Sequence, residues 1–317
     1  MQIYINDLGG ACTMITIVGS GKVGSSIALQ AGMREVDDSI LLLDIIKGLP
    51  QGEAMDINHT LAEQGKDTIL RGSNEYADMQ GSDVVVIVAG VGRKPGMTRM
   101  DLLNTNAGIV RDVARKVAEY AKDAIVITVT NPLDPMTYIT LKATNFKSSR
   151  VMGMGNLLDL SRFKHFIADE LKVSRHSIQA LVIGEHGENM LPLVRYSSIA
   201  GIPLMHLISN EKARELVEKT RKVAAEVIAL KGATIYAPAN AVAEMLDAIV
   251  SDKRAVMPVC AYPDGKYGVN DICIGVPAVI GGEGVEEIIE VMLNDDERTV
   301  FENGVNAVRE AIRSVEI

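Results

Sequence analysis

The sequence predicts an α/β fold in which a doubly wound parallel sheet is followed by a second, α+β domain. Short apolar runs alternate with helical patterns along the first 150 residues, as expected for right-handed βαβ units. Runs such as DVVVIV at 83–88 have no polar alternation and suit strands that are buried on both faces of a sheet. Beyond residue 150, long helices and paired strands replace this alternation. We therefore expect one domain at 1–150 and another at 151–317.

Length and composition restrict the class of protein. With 317 residues, of which 47% are hydrophobic, the chain can build two domains with a large core. Its formal net charge of −9 argues against a general nucleic-acid binder. No apolar run reaches the roughly 18 residues that a membrane helix needs, and the first dozen residues lack the basic start and apolar core of a signal peptide. We therefore expect a cytoplasmic protein with neither a nucleic-acid nor a membrane partner.

The three cysteines predict no metal centre. Cys12, Cys260 and Cys273 form no CxxC pair and adjoin no histidine, so the residue spacing of a zinc site is missing. Unpaired thiols in a reducing compartment are the expected interpretation.

A glycine-rich turn joins the first predicted strand to the first helix. Residues 14–18 (MITIV) predict a strand, GSGKVG follows at once, and SSIALQAGM continues as a helix. In that context Gly19 permits a tight turn, Gly21 lets the backbone approach a pyrophosphate, and Gly24 lets helix and strand pack closely. The free N–H groups at the helix start then face the phosphates. The pattern predicts a dinucleotide-binding domain of the Rossmann type.

An acidic residue ends the second predicted strand, at 39–43. Asp44 lies twenty residues after Gly24, where a carboxylate can bind both ribose hydroxyls of NAD and repel the extra phosphate of NADP. The two isoleucines that follow leave no arginine ready to hold that phosphate, although Lys47 is near. We therefore predict NAD as the cofactor. The alternative is a solvated carboxylate beside glycines that serve only as turns.

The remaining elements of the first domain continue the alternation. The sequence predicts a helix at 48–63, strands at 68–71 and 83–88, a helix at 105–122 and a strand at 124–129. Asn131 follows the last of these strands, at the carboxyl edge where open α/β sheets bind ligands. A turn asparagine before Pro132 is the alternative interpretation.

The segment that follows the fourth strand, residues 89–103, reads AGVGRKPGMTRMDLL. Gly90 and two further glycines give its backbone conformational freedom, and Arg93 and Arg99 supply two guanidinium groups. A glycine-rich loop of this kind at the carboxyl end of a strand predicts a lid that closes on an anion. A plain surface loop explains the same composition.

Two motifs stand out in the second half of the chain. The helical pattern at 156–171 carries Asp159 and Arg162 three residues apart, and therefore on one face. An exposed ion pair is the alternative interpretation of these two residues. His186 follows a predicted strand at 179–183 and sits in GEHG, where the flanking glycines let the backbone bend and the ring reach a cleft.

The other parts of the second half are less informative about function. Helices are predicted at 210–231, 239–250 and 295–315, and strands at 254–261 and 272–280. Four further histidines are expected to be structural or simply exposed: His59, His165, His176 and His206.

Taken together, these motifs resemble those of the lactate and malate dehydrogenase superfamily, and most of all its malate dehydrogenases of the lactate-dehydrogenase-like type. The matching motifs are GSGKVG, the strand end at Asp44, AGVGRKPGMTR, VTNPLD, GNLLDLSRF and GEHGENMLPL. They occur in the family's order and at its spacings over almost the whole chain from Met14. The resemblance implies hydride transfer between NAD and malate or oxaloacetate, a step of the tricarboxylic acid cycle, in a homo-oligomer that is a dimer or a tetramer.

The resemblance also implies three catalytic residues. His186 would be the general acid/base, with Asp159 as its carboxylate partner, and Arg99 would polarise the reacting carbonyl. Oxidation of a 2-hydroxy acid releases a proton, and histidine needs little tuning to accept it near neutral pH. A carboxylate on the other ring nitrogen fixes the tautomer and stabilises the imidazolium.

Substrate binding would involve four further positions. Arg162 would hold the first carboxylate, Asn131 would hydrogen-bond near the reacting centre and the nicotinamide, and Thr234 would line the pocket. Arg93 falls where malate dehydrogenases have arginine and lactate dehydrogenases typically have glutamine, so the resemblance implies that it binds a second carboxylate.

Three alternatives remain open at this stage. A lactate-type dehydrogenase with relaxed specificity would share the same motifs. An NAD-dependent glycosidase on a related fold would need a Cys/His metal site, for which the cysteines have no histidine beside them. A non-catalytic NAD-binding protein would have no reason to keep Asp159, Arg162 and His186 together.

Overall fold

The computed structural model describes residues 14–92 and 97–315, except for the side chain of Arg99. One sheet of eleven strands runs through this part of the chain. The strands of the first half are β1 (Ile15–Val18), β2 (Ser39–Leu43), β3 (Ile69–Ser73), β4 (Val84–Ile87), β5 (Ile125–Thr128) and β6 (Val151–Gly153). Those of the second half are β7 (Ile178–Gln179), β8 (Val182–Gly184), β9 (Met190–Pro192), β10 (Ser198–Ile199), β11 (Ile202–Pro203), β12 (Ala255–Ala261), β13 (Ile274–Gly281) and β14 (Gly284–Ile288).

Helices flank this sheet in both halves. They are α1 (Lys22–Met33), α2 (Leu49–Glu63), α3 (Arg99–Tyr120), α4 (Leu133–Thr144), α5 (Asn156–Leu171), α6 (Asn210–Lys231), α7 (Tyr236–Val250) and α8 (Asp295–Arg313). None of these helices is both long enough and apolar enough to cross a bilayer.

The first half of the sheet is parallel and doubly wound. Its strand order is β3-β2-β1-β4-β5-β6, and every adjacent pair in that order is parallel. This is the order of a dinucleotide-binding Rossmann sheet. β4 and β5 are buried along their whole length, as their unbroken apolar sequences predict. The predicted fold class is confirmed.

The sheet continues without a break into the second half of the chain. β6 is parallel to β5 and antiparallel to β12, where Cys260 pairs with Gly153. Antiparallel strands β13, β8 and β9 then extend the sheet, and β14 pairs with β13. Because β6 starts at residue 151, the sheet crosses the predicted domain boundary, whose exact position remains a prediction.

Two hydrophobic cores hold the elements together. The larger one contains side chains from both halves, such as Ile17 and Ile127 from the parallel strands and Ile274 from β13. The smaller one surrounds Phe163 of α5 and packs against Leu216 of α6. Since Phe163 and Asp159 lie one helical turn apart, the smaller core fixes the helix that carries two candidate site residues.

Several predicted boundaries were wrong. α3 begins at Arg99 rather than at 105, because Thr98 and Asp101 form a capping box that starts the helix earlier. The predicted strand at 179–183 is instead two short strands, β7 and β8. α7 begins at Tyr236 rather than at 239, with Pro238 in its first turn, where proline is tolerated.

Candidate active site

The glycine-rich turn has the local geometry that its sequence predicts. Gly19 adopts a φ of +108°, and a Cβ there would lie 2.7 Å from the main-chain nitrogen of Ala89. A Cβ on Gly24 would collide with the carbonyl oxygen of Gly19. Gly21, in contrast, has no atom near its Cβ direction and directly precedes the start of α1. The turn is therefore closed at both ends, while its middle is open to a ligand that approaches the helix N-terminus.

Asp44 is held beside this turn. Its Oδ2 accepts the main-chain N–H of Ser20 at 2.7 Å, and its Oδ1 accepts that of Ile46 at 2.9 Å. Asn74 donates to the carbonyl oxygens of Asp44 at 2.6 Å and Ile46 at 3.0 Å, so the segment after β2 is anchored as well. Asp44 is therefore a partly buried carboxylate with a fixed orientation and not a freely solvated one; its role toward a cofactor remains a prediction. The open Gly21, the helix N-terminus and this oriented carboxylate fit the pyrophosphate and ribose of NAD.

The other candidate residues follow neighbouring strands of the same sheet. Asn131 comes after β5, and α5, which carries Asp159 and Arg162, comes after β6. Since β1, β4, β5 and β6 are parallel, the residues that follow them meet at one edge of the sheet. That edge is also where the glycine-rich turn lies.

Asp159, Arg162 and His186 form a connected cluster at this edge. Asp159 Oδ2 lies 2.7 Å from Nδ1 of His186, and Asp159 Oδ1 accepts a hydrogen bond of 2.9 Å from Nη1 of Arg162. The side chain of Asp159 is completely buried, and those of His186 and Arg162 are each 12% exposed. The exposed ion pair considered for Asp159 and Arg162 is therefore wrong. The pair is packed inside the protein and joined to the histidine.

The surroundings of His186 favour its protonated form. Burial of the ring disfavours the charge, and so does Arg162, but the carboxylates of Asp159 and Asp134 outweigh both. As a result the pKa of His186 is raised above its usual value of 6.5. The two carboxylates therefore help the ring to take up a proton.

Family models match both halves of the chain. Residues 13–153 match the lactate/malate dehydrogenase NAD binding domain, and residues 157–316 match the lactate/malate dehydrogenase alpha/beta C-terminal domain. The chain belongs to the lactate/malate dehydrogenase family. It is an NAD-dependent oxidoreductase, and NAD is its cofactor.

Relatives of this dehydrogenase cover nearly its whole length. A malate dehydrogenase from Desulforudis audaxviator is 44% identical over 96% of this chain and 98% of the relative. The solved structure of the malate dehydrogenase from Aeropyrum pernix has a TM-score of 0.92 and 45% identity, and the match covers 96% of this chain and 98% of that one. A Cryptosporidium parvum lactate dehydrogenase, solved with lactic acid and nicotinamide adenine dinucleotide, has a TM-score of 0.91 at 38% identity, covering 96% and 98%.

The predicted lid of this dehydrogenase is described only in part. Arg93 lies outside the described residues, and Arg99 is the first residue of α3, with a side chain that is not described. Gly90 packs closely, because a Cβ there would lie 2.5 Å from Thr130. Gly92 has open space around it. Gly90 is thus a close-packing position, whereas a side chain at Gly92 would meet none of the described residues.

A buried polar residue that the sequence argument missed anchors the start of this segment. Asn106 on α3 is 1% exposed. Its side chain accepts the N–H of Val91 at 2.8 Å and donates to the carbonyl oxygens of Val91 at 3.1 Å and Asn131 at 2.6 Å. The signal was available, because Asn106 shares the apolar face of α3 with Leu103 and Val110.

Thr234 and two of the cysteines are the remaining residues that the sequence singles out and the structure describes. Thr234 lies half-buried in the connection between α6 and α7. Cys260 and Cys273 are buried free thiols, and burial raises the pKa of both. Within residues 14–92 and 97–315, no group of three or more His, Cys, Asp or Glu side chains is arranged to hold a metal ion.

Proposed function

We propose that this dehydrogenase transfers a hydride between NAD and the malate/oxaloacetate pair, under a mobile loop that closes over the substrate. The observation that carries the proposal is the buried carboxylate of Asp159, which contacts a histidine and an arginine at the same time. A proton carrier and a carboxylate binder are thereby fixed next to each other. Malate dehydrogenases among the relatives, at 43–46% identity, support the choice of substrate.

His186 moves the proton in this proposal. Its Nδ1 faces Asp159, which leaves Nε2 for the substrate oxygen. During malate oxidation Nε2 accepts the hydroxyl proton, and during oxaloacetate reduction it returns that proton to the carbonyl oxygen. Asp159 keeps the ring in the required tautomer and stabilises the imidazolium. NAD, when bound, supplies the carbon that accepts or donates the hydride.

Arg162 and Arg99 handle the charges on the substrate. Arg162 uses one Nη1–H bond on Asp159, so the rest of its planar fork can bind the carboxylate next to the reacting carbon. Arg99 polarises the reacting carbonyl, a contribution of about 3 kcal/mol by analogy with oxyanion donors. Asn131 hydrogen-bonds near the reacting carbon and the nicotinamide, and Thr234 lines the pocket.

Cofactor binding uses the turn and strand end at the same edge. Gly19, Gly21 and Gly24 shape a turn that lets the pyrophosphate reach the N-terminus of α1. Asp44, already oriented by the N–H of Ser20, receives the ribose hydroxyls. The open space at Gly21 supports this assignment.

Arg93 selects the substrate. In a closed, water-free site, a second carboxylate pairs with its guanidinium. A substrate that ends in a methyl group leaves that charge buried and unpaired, at a cost of about 2–5 kcal/mol. This cost corresponds to a preference for oxaloacetate over pyruvate of roughly 30- to 4,000-fold.

The test is a comparison of kcat/KM for oxaloacetate and pyruvate in the wild type and in Arg93→Gln. We expect wild type to prefer oxaloacetate, and we expect the preference to fall by at least about thirtyfold in the variant. Lys94→Gln is the matched control, since it removes a positive charge from the next position without removing the fork. An unchanged ratio in Arg93→Gln would eliminate Arg93 as the selector, and a wild type that prefers pyruvate would favour the lactate alternative.

We also propose a homo-oligomer, a dimer or tetramer, that works in the cytoplasm within the tricarboxylic acid cycle. Large apolar side chains on the described surface support self-association: Leu230 is 87% exposed and Tyr236 is 72% exposed. The free thiols of Cys260 and Cys273 fit a reducing compartment. Light scattering on the purified protein measures the subunit number, and a monomer at micromolar concentration would contradict the oligomer.

A further inference from the structure

A second buried carboxylate contacts His186 from the opposite end of the residue. Asp134 lies in the first turn of α4 and is 1% exposed. Its Oδ2 accepts the main-chain N–H of His186 at 2.8 Å. Its Oδ1 is buried and receives no hydrogen bond from a nitrogen or oxygen within the described residues. The thiol of Cys260 also hydrogen-bonds this carboxylate, but a thiol is only a weak donor. A carboxylate buried with so little compensation is costly to keep, which calls for a functional explanation.

We propose that Asp134 is a positioning residue that holds the main chain of His186 and supplies the second of two buried carboxylates that stabilise its protonated ring. The proposal rests on the proposed role of His186 as the general acid/base. It assigns to Asp134 no contact with substrate or cofactor.

His186 is held at two separate points by buried carboxylates. Asp159 from α5 bonds the ring at Nδ1, and Asp134 from α4 bonds the main chain. The backbone of Gly155 also lies against the residue, since a Cβ on Gly155 would be 3.2 Å from the Cβ of His186. With both the Cα position and the ring orientation fixed, Nε2 has a defined location, and errors of about 1 Å there can cost a hundredfold in rate.

Several titratable and charged groups surround the ring of His186 and the carboxyl of Asp134. The groups that face His186 and Asp134 are Asp159 and Arg162 on α5, Glu185 on the same loop as His186, and the thiols of Cys260 and Cys273 from the β12–β13 region. Burial raises the pKa of Asp134 to about 6, against the opposing effects of Cys260 and His186. Above that pKa the ionised form of Asp134 predominates.

Ionised Asp134 changes the charge balance of the cluster. With a neutral imidazole, Asp134, Asp159 and Arg162 together carry one negative charge. Protonation of His186 brings that sum to zero. The buried cluster is therefore more stable when the ring is charged. Asp134 thereby favours proton uptake by His186, the event that accompanies oxidation of the alcohol.

The test separates the charge of Asp134 from its hydrogen bond. Asp134→Asn keeps an oxygen that can accept the N–H of His186 but removes the charge, whereas Asp134→Ala removes both. Thr140→Val is the matched control, because Thr140 is a fully buried polar residue on the same helix that bonds Thr128 and Met136 and not His186. Two readouts are used: the NMR titration of the His186 ring, assigned through its loss in His186→Asn, and kcat/KM against pH.

In Asp134→Asn, we expect the His186 titration midpoint to move to lower pH. Oxaloacetate reduction at pH about 8 should fall on the order of three- to tenfold. At pH about 5, below the pKa of Asp134, it should change much less, because the wild-type carboxyl has then lost most of its charge as well. Asp134→Ala should lose about a hundredfold at both pH values. Thr140→Val should match the wild type in both readouts.

Two results would overturn the proposal: an unchanged His186 midpoint with an unchanged pH profile in Asp134→Asn, or equal changes in Thr140→Val. If Asp134→Ala does not fold, the isosteric Asp134→Asn still decides. The NMR readout needs no substrate. An enzyme that fails to use oxaloacetate would refute the proposed function, while the titration would still show whether Asp134 supports the charged ring.

Discussion

Asp159 Oδ2 lies 2.7 Å from Nδ1 of His186, and the carboxylate is completely buried. A buried carboxylate at this distance holds a proton on Nδ1 and leaves Nε2 as the exchanging nitrogen. The connection spans 27 residues of sequence and joins α5 to the loop after β8. It fixes the direction in which the ring can act, and several measurable consequences follow from it.

Removal of the ring should stop the reaction without loss of cofactor binding. In His186→Ala, we expect turnover to fall by roughly 10²- to 10⁴-fold, the usual contribution of a general acid/base. NADH affinity, measured by fluorescence titration, should stay unchanged, because the glycine-rich turn and Asp44 follow β1 and β2 and do not include His186. His206→Ala is the control, since His206 is exposed. Turnover above about a tenth of wild type would remove His186 from the mechanism.

The raised pKa of His186 sets the pH dependence of both directions. Oxidation needs the neutral ring, so kcat/KM for malate should rise as the pH increases through that pKa. Reduction needs the protonated ring, so kcat/KM for oxaloacetate should fall over the same range. In Asp159→Asn the stabilising charge is lost, and both profiles should move to lower pH. Profiles that keep the wild-type midpoint in this variant would contradict the role of Asp159.

Two glycines of the same turn should respond differently to alanine. The methyl group of Gly21→Ala would project into open space, so the melting temperature of this variant should match that of the wild type. The affinity for NADH should fall, because the same methyl group would face the pyrophosphate. Gly24→Ala collides with the carbonyl of Gly19 and should be destabilised by about 1–3 kcal/mol. Thermal melts and NADH titrations of both variants provide the comparison. Equal loss of stability in the two would refute this distinction.

Asp44 should control the choice between NADH and NADPH. In Asp44→Ala, loss of the ribose hydrogen bonds should weaken NADH by roughly 5- to 30-fold, equivalent to about 1–2 kcal/mol. NADPH should weaken less or bind more tightly, because the repulsion of its extra phosphate is removed. Asp38→Ala removes an exposed carboxylate beside the opposite end of β2 and serves as the control. An unchanged ratio of the two affinities in Asp44→Ala would disprove the assignment.

Local motifs made much of the fold predictable. GSGKVG and Asp44 each depend on a few adjacent residues, and the structure gives both the expected surroundings. The helix at 210–231 was predicted with its observed bounds, because Ser209 caps its start and Gly232 ends it in a left-handed conformation. The start of α3 was predicted too late, because residues 89–103, which include the capping pair Thr98 and Asp101, were assigned to the lid.

Contacts between distant residues could not be predicted in the same way. Asp134 bonds a residue 52 positions away, and Asn74 bonds one 30 positions away. Neither contact has a periodicity or spacing that a single sequence reveals. The available signal for Asp134 was a charged residue in a helix whose other residues, apart from Lys142, are apolar or uncharged, and nearly all of α4 is in fact buried. That signal marks a buried polar group but does not name its partner.

The pairing of β6 with β12 determines how the protein unfolds. Strand pairing and a shared hydrophobic core connect the nucleotide-binding half to the other half. Neither half can therefore unfold or separate without breaking the pairing of β6 with β12 and exposing part of that core. Chemical denaturation of a subunit should accordingly proceed as one cooperative event. In a fragment truncated after Gly153, β6 would be an unpaired edge strand. Such a strand can pair with strands of other molecules, so the fragment should aggregate.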